Sequence, residues 1–180
     1  MVPEHRELAA RIVRRRLYRG ALAAGALAAA LVLTLVFPPR PWLVWNVSKS
    51  APVGLYVIGR RGVIGAGDMV LARVPKQWRR LAAGLRYIPV NVPLVKRAVA
   101  VPGDTVCAHG PSVFVSGRRA AERRTFDGLG RPMPWWTGCI LLRGGTYFLL
   151  MDNPASFDGR YFGTTAESDV IGRARLLWRR

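Results

Sequence analysis

Residues Gly20 to Pro39 carry no charged side chain, and up to Phe37 they are almost wholly Ala, Leu, Val, Gly and Phe. No other stretch constrains the chain so tightly. A helix rises about 1.5 Å per residue, so about twenty such residues cross the hydrocarbon core of a bilayer. Arg11, Arg14, Arg15, Arg16 and Arg19 precede the run, and positive charge on one flank holds that end in the cytoplasm. The expected organisation is a basic cytoplasmic tail over 1–19, a transmembrane anchor over 20–39 and an exported domain over 41–180. Trp42 and Trp45 follow at once. Indoles favour the membrane interface, although two ordinary core tryptophans would read the same way. A cleaved signal peptide competes with the anchor. Its Ala-x-Ala triplet at Ala21 and Ala23 lies inside the apolar run, and the run ends in Phe37-Pro38-Pro39, a poor cleavage context. A core helix buried in protein would not need this asymmetry of charge at its ends.

The formal charge is +18, carried by 25 arginines and only three lysines, Lys49, Lys76 and Lys96. An arginine-rich surface without a partner and attraction to an anionic membrane both account for it. Nucleic acid is not an expected partner, because the chain has no zinc-finger spacing, no aromatic RNA-binding motif and no basic helix backed by heptads. Cys107 and Cys139 are too few for a disulfide scaffold and lack CxxC spacing. They form a disulfide if the domain lies in an oxidising compartment and are otherwise two buried thiols. No repeat or low-complexity run is present, which removes solenoid and fibrous folds.

After Pro41 the pattern changes to short apolar runs punctuated by Gly and Pro. Leu55–Ile58, Met69–Ala72, Leu94–Val101, Ser112–Val115 and Tyr147–Met151 read as strands, and Gln77–Leu85 as a short helix. The stretches 59–67 and 123–134 are rich in turn formers. Many short strands with such turns predict a mainly β domain of sandwich or barrel type.

Few residues can carry hydrolytic chemistry here. His5 precedes the apolar run and His109 is the one histidine after it, so a Ser-His-Asp triad or a three-ligand zinc site is poorly supplied. Asp152 and Asp158 share a loop, but nothing else supports paired-carboxylate chemistry. Lysine can act as a base when burial or a nearby cation lowers its pKa, whereas arginine stays protonated. On a strand, Leu94, Lys96 and Ala98 share one face and Arg97 points away. The pattern alone fits a solvated lysine on an edge strand better than a buried one. Ser50 begins a Pro/Gly-bent loop in Asn46-Val47-Ser48-Lys49-Ser50-Ala51-Pro52-Val53-Gly54-Leu55-Tyr56. There a hydroxyl and a free backbone N–H meet, and the Ser48 hydroxyl can join the Ser50 N–H in binding an oxyanion. By itself this is a turn signal.

Together these segments resemble the signal peptidase family of Ser/Lys peptidases, and within it the TraF-type conjugative transfer peptidases. The nucleophile loop matches the TraF type. Val95-Lys96-Arg97-Ala98-Val99-Ala100-Val101-Pro102-Gly103-Asp104 matches the lysine box. Asp152-Asn153-Pro154-Ala155-Ser156-Phe157-Asp158-Gly159-Arg160-Tyr161-Phe162-Gly163 matches the late box, with Gly159 where Ser is common and a freer backbone expected there. Ser50-Ala51-Pro52 is one residue shorter than the Ser-Met-x-Pro of housekeeping signal peptidases. The resemblance implies an antiparallel β domain after one N-terminal transmembrane helix, with Ser50 as nucleophile and Lys96 as base. It further implies that Ser156 hydrogen-bonds the amine and that Asp158 and Arg160 form an ion pair holding the loop. No metal or other cofactor is expected. The implied setting is the cytoplasmic membrane, with the N-terminus cytoplasmic and the catalytic domain periplasmic. The implied partners are the lipid bilayer and a membrane-tethered exported precursor, such as a conjugative pilin that is trimmed, with joining of its ends into a ring as a further outcome. The alternatives are a general type I signal peptidase, a non-catalytic assembly factor of a secretion channel and a basic membrane-attached DNA-binding protein.

Overall fold

The computed structural model describes residues 3–37 and 40–180. Met1, Val2, Pro38 and Pro39, at the ends of the expected tail and anchor, lie outside the described residues. The chain divides into two compact units, Met1–Arg40 and Pro41–Arg180. The first is a single helix, α1 (Pro3–Val36). Arg, Ala and Leu are all strong helix formers, and no proline interrupts them within it. The expected boundary between residues 19 and 20 therefore falls inside one continuous helix. Its segment Arg14–Val36 is long and apolar enough to cross a membrane.

The second unit is mainly β. In chain order its elements are β1 (Leu43–Asn46), β2 (Gly54–Ile58), β3 (Met69–Ala72), α2 (Lys76–Gly84), β4 (Leu94–Ala100), β5 (Thr105–His109), β6 (Ser112–Val115), β7 (Arg118–Glu122), β8 (Gly138–Leu141), β9 (Thr146–Leu150), α3 (Gly159–Phe162), β10 (Thr165–Ala166) and β11 (Val170–Arg179). A seven-stranded sheet has the order β1-β2-β11-β3-β4-β9-β10, and a four-stranded sheet the order β7-β6-β5-β8. Every pairing between these strands is antiparallel. The strands expected at 69–72 and 112–115 have those bounds, and the other three expected strands and the helix agree to within a residue at each end.

β11 joins the two halves of the large sheet. Its first residues pair with β3 and its later ones with β2, with register shifts at Val170/Gly172 and Leu176/Trp178. Such irregularities bend a strand and raise its twist, letting one strand serve two neighbours. Gly54 is required where β11 crosses the start of β2. Its φ is +155°, and a Cβ there would run into the Trp178 carbonyl. The core has three buried clusters. One, around Ala51, Tyr56, Leu71, Val95 and Met151, ties the loop after β1 to the sheet. Another, around Ala100, Val106, Val113, Leu142 and Phe148, joins the large sheet to the four-stranded one.

β4 is a central strand, flanked by β3 and β9. This corrects the edge-strand reading of Lys96. An edge lysine reaches water, but Lys96 is 1% exposed. The alternation pattern was the same in either case, and only the order of strands distinguishes them.

Candidate active site

The loop between β1 and β2 carries Ser50. It is held by Asn46, the last residue of β1, which is buried. The Asn46 Nδ2 donates to the carbonyls of Ser48 (2.9 Å), Pro52 (3.0 Å) and Ala51 (3.3 Å). The Asn46 Oδ1 accepts from the Ser48 N–H at 3.1 Å. One carboxamide thus gathers the loop's polar backbone around itself, as an asparagine side chain mimicking a turn does. The Tyr56 hydroxyl adds a bond to the Pro52 carbonyl at 2.9 Å. Ser50 is left half-buried at the tip.

β4 brings Lys96 to the underside of this loop. The Lys96 Nζ lies 3.1 Å from Ser50 Oγ and 2.5 Å from Ser156 Oγ. Residues separated by 46 and 60 positions in the chain meet at one amine. Burial drives the Lys96 pKa down from its ordinary 10.5 to about 8, with the Asp158 carboxylate pulling upward and the Arg160 guanidinium downward. Desolvation penalises the ammonium and not the amine. A neutral amine at this distance can accept the Ser50 proton, the geometry that general-base activation of a hydroxyl requires.

The loop after β9 supports the lysine. Asp158 and Arg160 are 0% and 2% exposed and form an ion pair, with Arg160 Nε 2.8 Å from Asp158 Oδ1 and Nη2 3.1 Å from Oδ2. Asp158 also accepts from the backbone N–H of Met151 and of Arg160. Arg160 donates further to the carbonyls of Met151 and Glu122. Buried charges survive only when their hydrogen-bonding capacity is used in this way. Ser156 sits in the same loop, 2% exposed, with its N–H on the Asn153 carbonyl at 3.0 Å.

Two placements differ from expectation. The Ser50 N–H is not free. It donates to Ser48 Oγ at 3.3 Å, and the two serine hydroxyls are 2.9 Å apart. The donors assigned to an oxyanion hole satisfy each other in this state. Gly159, expected to leave the backbone freer, instead allows a close approach: a Cβ there would lie 2.8 Å from the Leu149 carbonyl and 3.0 Å from the Phe148 ring. Elsewhere, Cys107 and Cys139 stand directly opposite each other on β5 and β8 and are joined as a disulfide. Asp152, once weighed as an acid partner for Asp158, is exposed and paired with Arg97 at 3.3 Å.

Sequence reading did not single out Asn46 or Asn153, whose Nδ2 reaches the Lys49 carbonyl at 3.4 Å and so links the late loop to the nucleophile loop. An apolar cavity of about 260 Å³ runs up to Ser50, bounded by Val44, Trp45, Ile88, Val92, Pro93 and Val95.

Residues 14–179 match the family model described as signal peptidase, peptidase S26. The chain belongs to the S26 signal peptidase family. Among relatives of this S26 member, the plasmid transfer protein TraF of Escherichia coli is 32% identical over 148 residues, covering 74% of this chain and 82% of that protein. The probable conjugal transfer protein TraF of Sinorhizobium fredii is 31% identical over 142 residues, covering 72% and 73%. Signal peptidase I V of Bacillus subtilis is 29% identical over 98 residues, covering 47% and 56%. The likeness is thus of the TraF type within S26. Among solved structures, a signal peptidase I from Enterococcus faecalis V583 covers 64% of this chain and 98% of its own at 21% identity, with a TM-score of 0.37. Membership makes the protein a serine peptidase-type hydrolase by kinship.

Proposed function

We propose that this S26 member is a membrane-anchored serine endopeptidase in which Ser50 is the nucleophile and Lys96 the general base. The carrying observation is the buried Lys96 amine within hydrogen-bond reach of both Ser50 and Ser156. Neutral Lys96 takes the Ser50 proton as Oγ attacks a peptide carbonyl. The oxyanion draws on the Ser50 N–H, with the Ser48 hydroxyl turning from its partner to join it. Lys96 then returns the proton to the departing amine, leaving an acyl-enzyme. Ser156 orients the amine, and the Asp158–Arg160 pair holds the loop that carries Ser156. Water resolves the acyl-enzyme to a linear product, and an amine resolves it by joining two ends.

Helix α1 is the anchor, with its arginine-rich end in the cytoplasm and residues 41–180 in the periplasm. Confinement of enzyme and substrate to one membrane surface favours a membrane-tethered exported precursor. The names of the TraF relatives point to conjugal and plasmid transfer, and the substrate proposed on that ground is a conjugative pilin, trimmed and joined into a ring. Processing by Ser50→Ala, Lys96→Ala and Lys96→Arg variants should fall about a thousandfold or more while the protein still inserts. Mass spectrometry of the pilin reads this directly, and a product lighter by one water than the trimmed chain marks a ring. Retained processing by Lys96→Arg would exclude the lysine as base, since arginine cannot give up its proton. The likeness to signal peptidase I V favours a second reading, removal of signal peptides in general. Complementation of a strain lacking that activity tests it.

A further inference from the structure

Ser50 lies between two cavities of opposite character. On one flank is the apolar cleft described above. On the other is a cavity of about 430 Å³ bordered by Lys49, Arg97, Arg179 and Arg180, with Asp152 as its one acidic side chain. Four cationic side chains against one acidic side chain leave a net positive bowl beside Ser50, and the balance stays positive with the α-carboxylate of Arg180 counted. Main-chain pairing fixes where Arg179 and Arg180 attach. Arg179 is opposite Gly54 in the pairing of β11 with β2, and the Arg180 N–H donates to the Val53 carbonyl at 3.0 Å. Both therefore hang from the nucleophile loop's own backbone. Asp152 neutralises only Arg97, through a solvent-exposed pair 3.3 Å long. Lys49, Arg179 and Arg180 have no salt bridge among the described residues.

A substrate strand laid across Ser50 from one cavity to the other has one end in each. The apolar cleft suits the neutral residues that stay attached through the acyl-enzyme, since desolvated walls hold them against water. The basic cavity is rimmed by exposed arginines, where a departing segment can leave. We infer that this cavity is a subsite for a carboxylate on the departing segment, either an acidic side chain just beyond the scissile bond or that segment's own terminal carboxylate. The inference rests on the peptidase reading. Guanidinium groups pair with carboxylates in fixed fork geometry, so the cavity selects on charge where the apolar cleft selects on size.

The test uses the full-length protein in detergent and four peptides. They share one apolar acyl side, and their departing segments carry Glu or Gln and end in a free acid or an amide. The expected result is a kcat/KM about tenfold higher with a carboxylate than with the neutral Gln-amide peptide, a ratio that shrinks as salt screens it. The Glu-amide and Gln-acid arms tell side chain from terminus. An Arg179→Glu/Arg180→Glu double variant should invert the preference towards a fifth peptide whose departing segment carries Lys and ends in an amide, a gain that a misfolded protein cannot give. Cleavage of all four peptides at equal rates overturns the inference and leaves the peptidase reading standing. Cleavage of none overturns both. If the double variant keeps the peptide ratio and changes only the response to added phosphatidylglycerol, the cavity serves a lipid headgroup and the inference falls.

Discussion

The two loops that meet at Lys96 are held by different physics. The nucleophile loop hangs on one neutral carboxamide, Asn46, bonded to carbonyls within six residues of it. The late loop hangs on a buried ion pair whose carboxylate and guanidinium share two backbone N–H groups and two carbonyls. A neutral clasp is cheap to bury and forgiving when cut. A buried ion pair contributes little net stability when intact but costs much when one partner goes, because the other is left charged and dry. The loop that presents the Ser50 hydroxyl can therefore tolerate change, and the loop that supports the Lys96 amine cannot.

The largest consequence is expected at the ion pair. Asp158→Ala should cost about 3–5 kcal/mol by chemical denaturation, since it strands the Arg160 guanidinium. A loss of no more than about 2 kcal/mol would put the two loops on an equal footing.

Next comes the amine between them. Below pH 8 both folded and unfolded chains hold the Lys96 proton, and the folded state bears the full cost of a buried charge. Between about 8 and 10.5 the folded state has released the proton and the unfolded state has not, so folding becomes more favourable as pH rises. Lys96→Met should be about 2–3 kcal/mol more stable than the parent at pH 7, with the gap closing towards pH 10.5. Melting curves at both pH values check this, and a gap constant with pH would refute it.

The smallest effect belongs to the carboxamide. Asn46→Ala should cost about 1–2 kcal/mol, as three neutral carbonyls and the Ser48 N–H lose one partner but strand no charge, and should lower kcat more than it raises KM. A loss as large as that of Asp158→Ala would erase the contrast.

What could be seen beforehand follows the same division. The fold class was legible because short runs bounded by Gly and Pro show themselves locally, as Met69–Ala72 and Ser112–Val115 did. β11 was missed because Arg173, Arg175 and Arg179 read as charge, although Val170, Ile171 and Ala174 are buried. The burial of Lys96 was not legible in its own strand, since it depends on β3 and β9 lying on either side. The late box could be named by resemblance, but the convergence of Ser156 and Ser50 on one amine is a long-range fact. Asn46 did leave a local trace: an asparagine two residues before a serine cluster is an ordinary side-chain turn signal.

The position of β11 also sets an order of events. β1 and β2, which bear Ser50, are joined by main-chain pairing to the strands around Lys96 only through β11, whose residues come after every other strand. In a chain emerging from its N-terminus, serine and lysine are both delivered long before the strand that fixes their separation. Until β11 docks, Ser50 and Lys96 are both present in the newborn chain but no main-chain pairing between strands sets the distance between them.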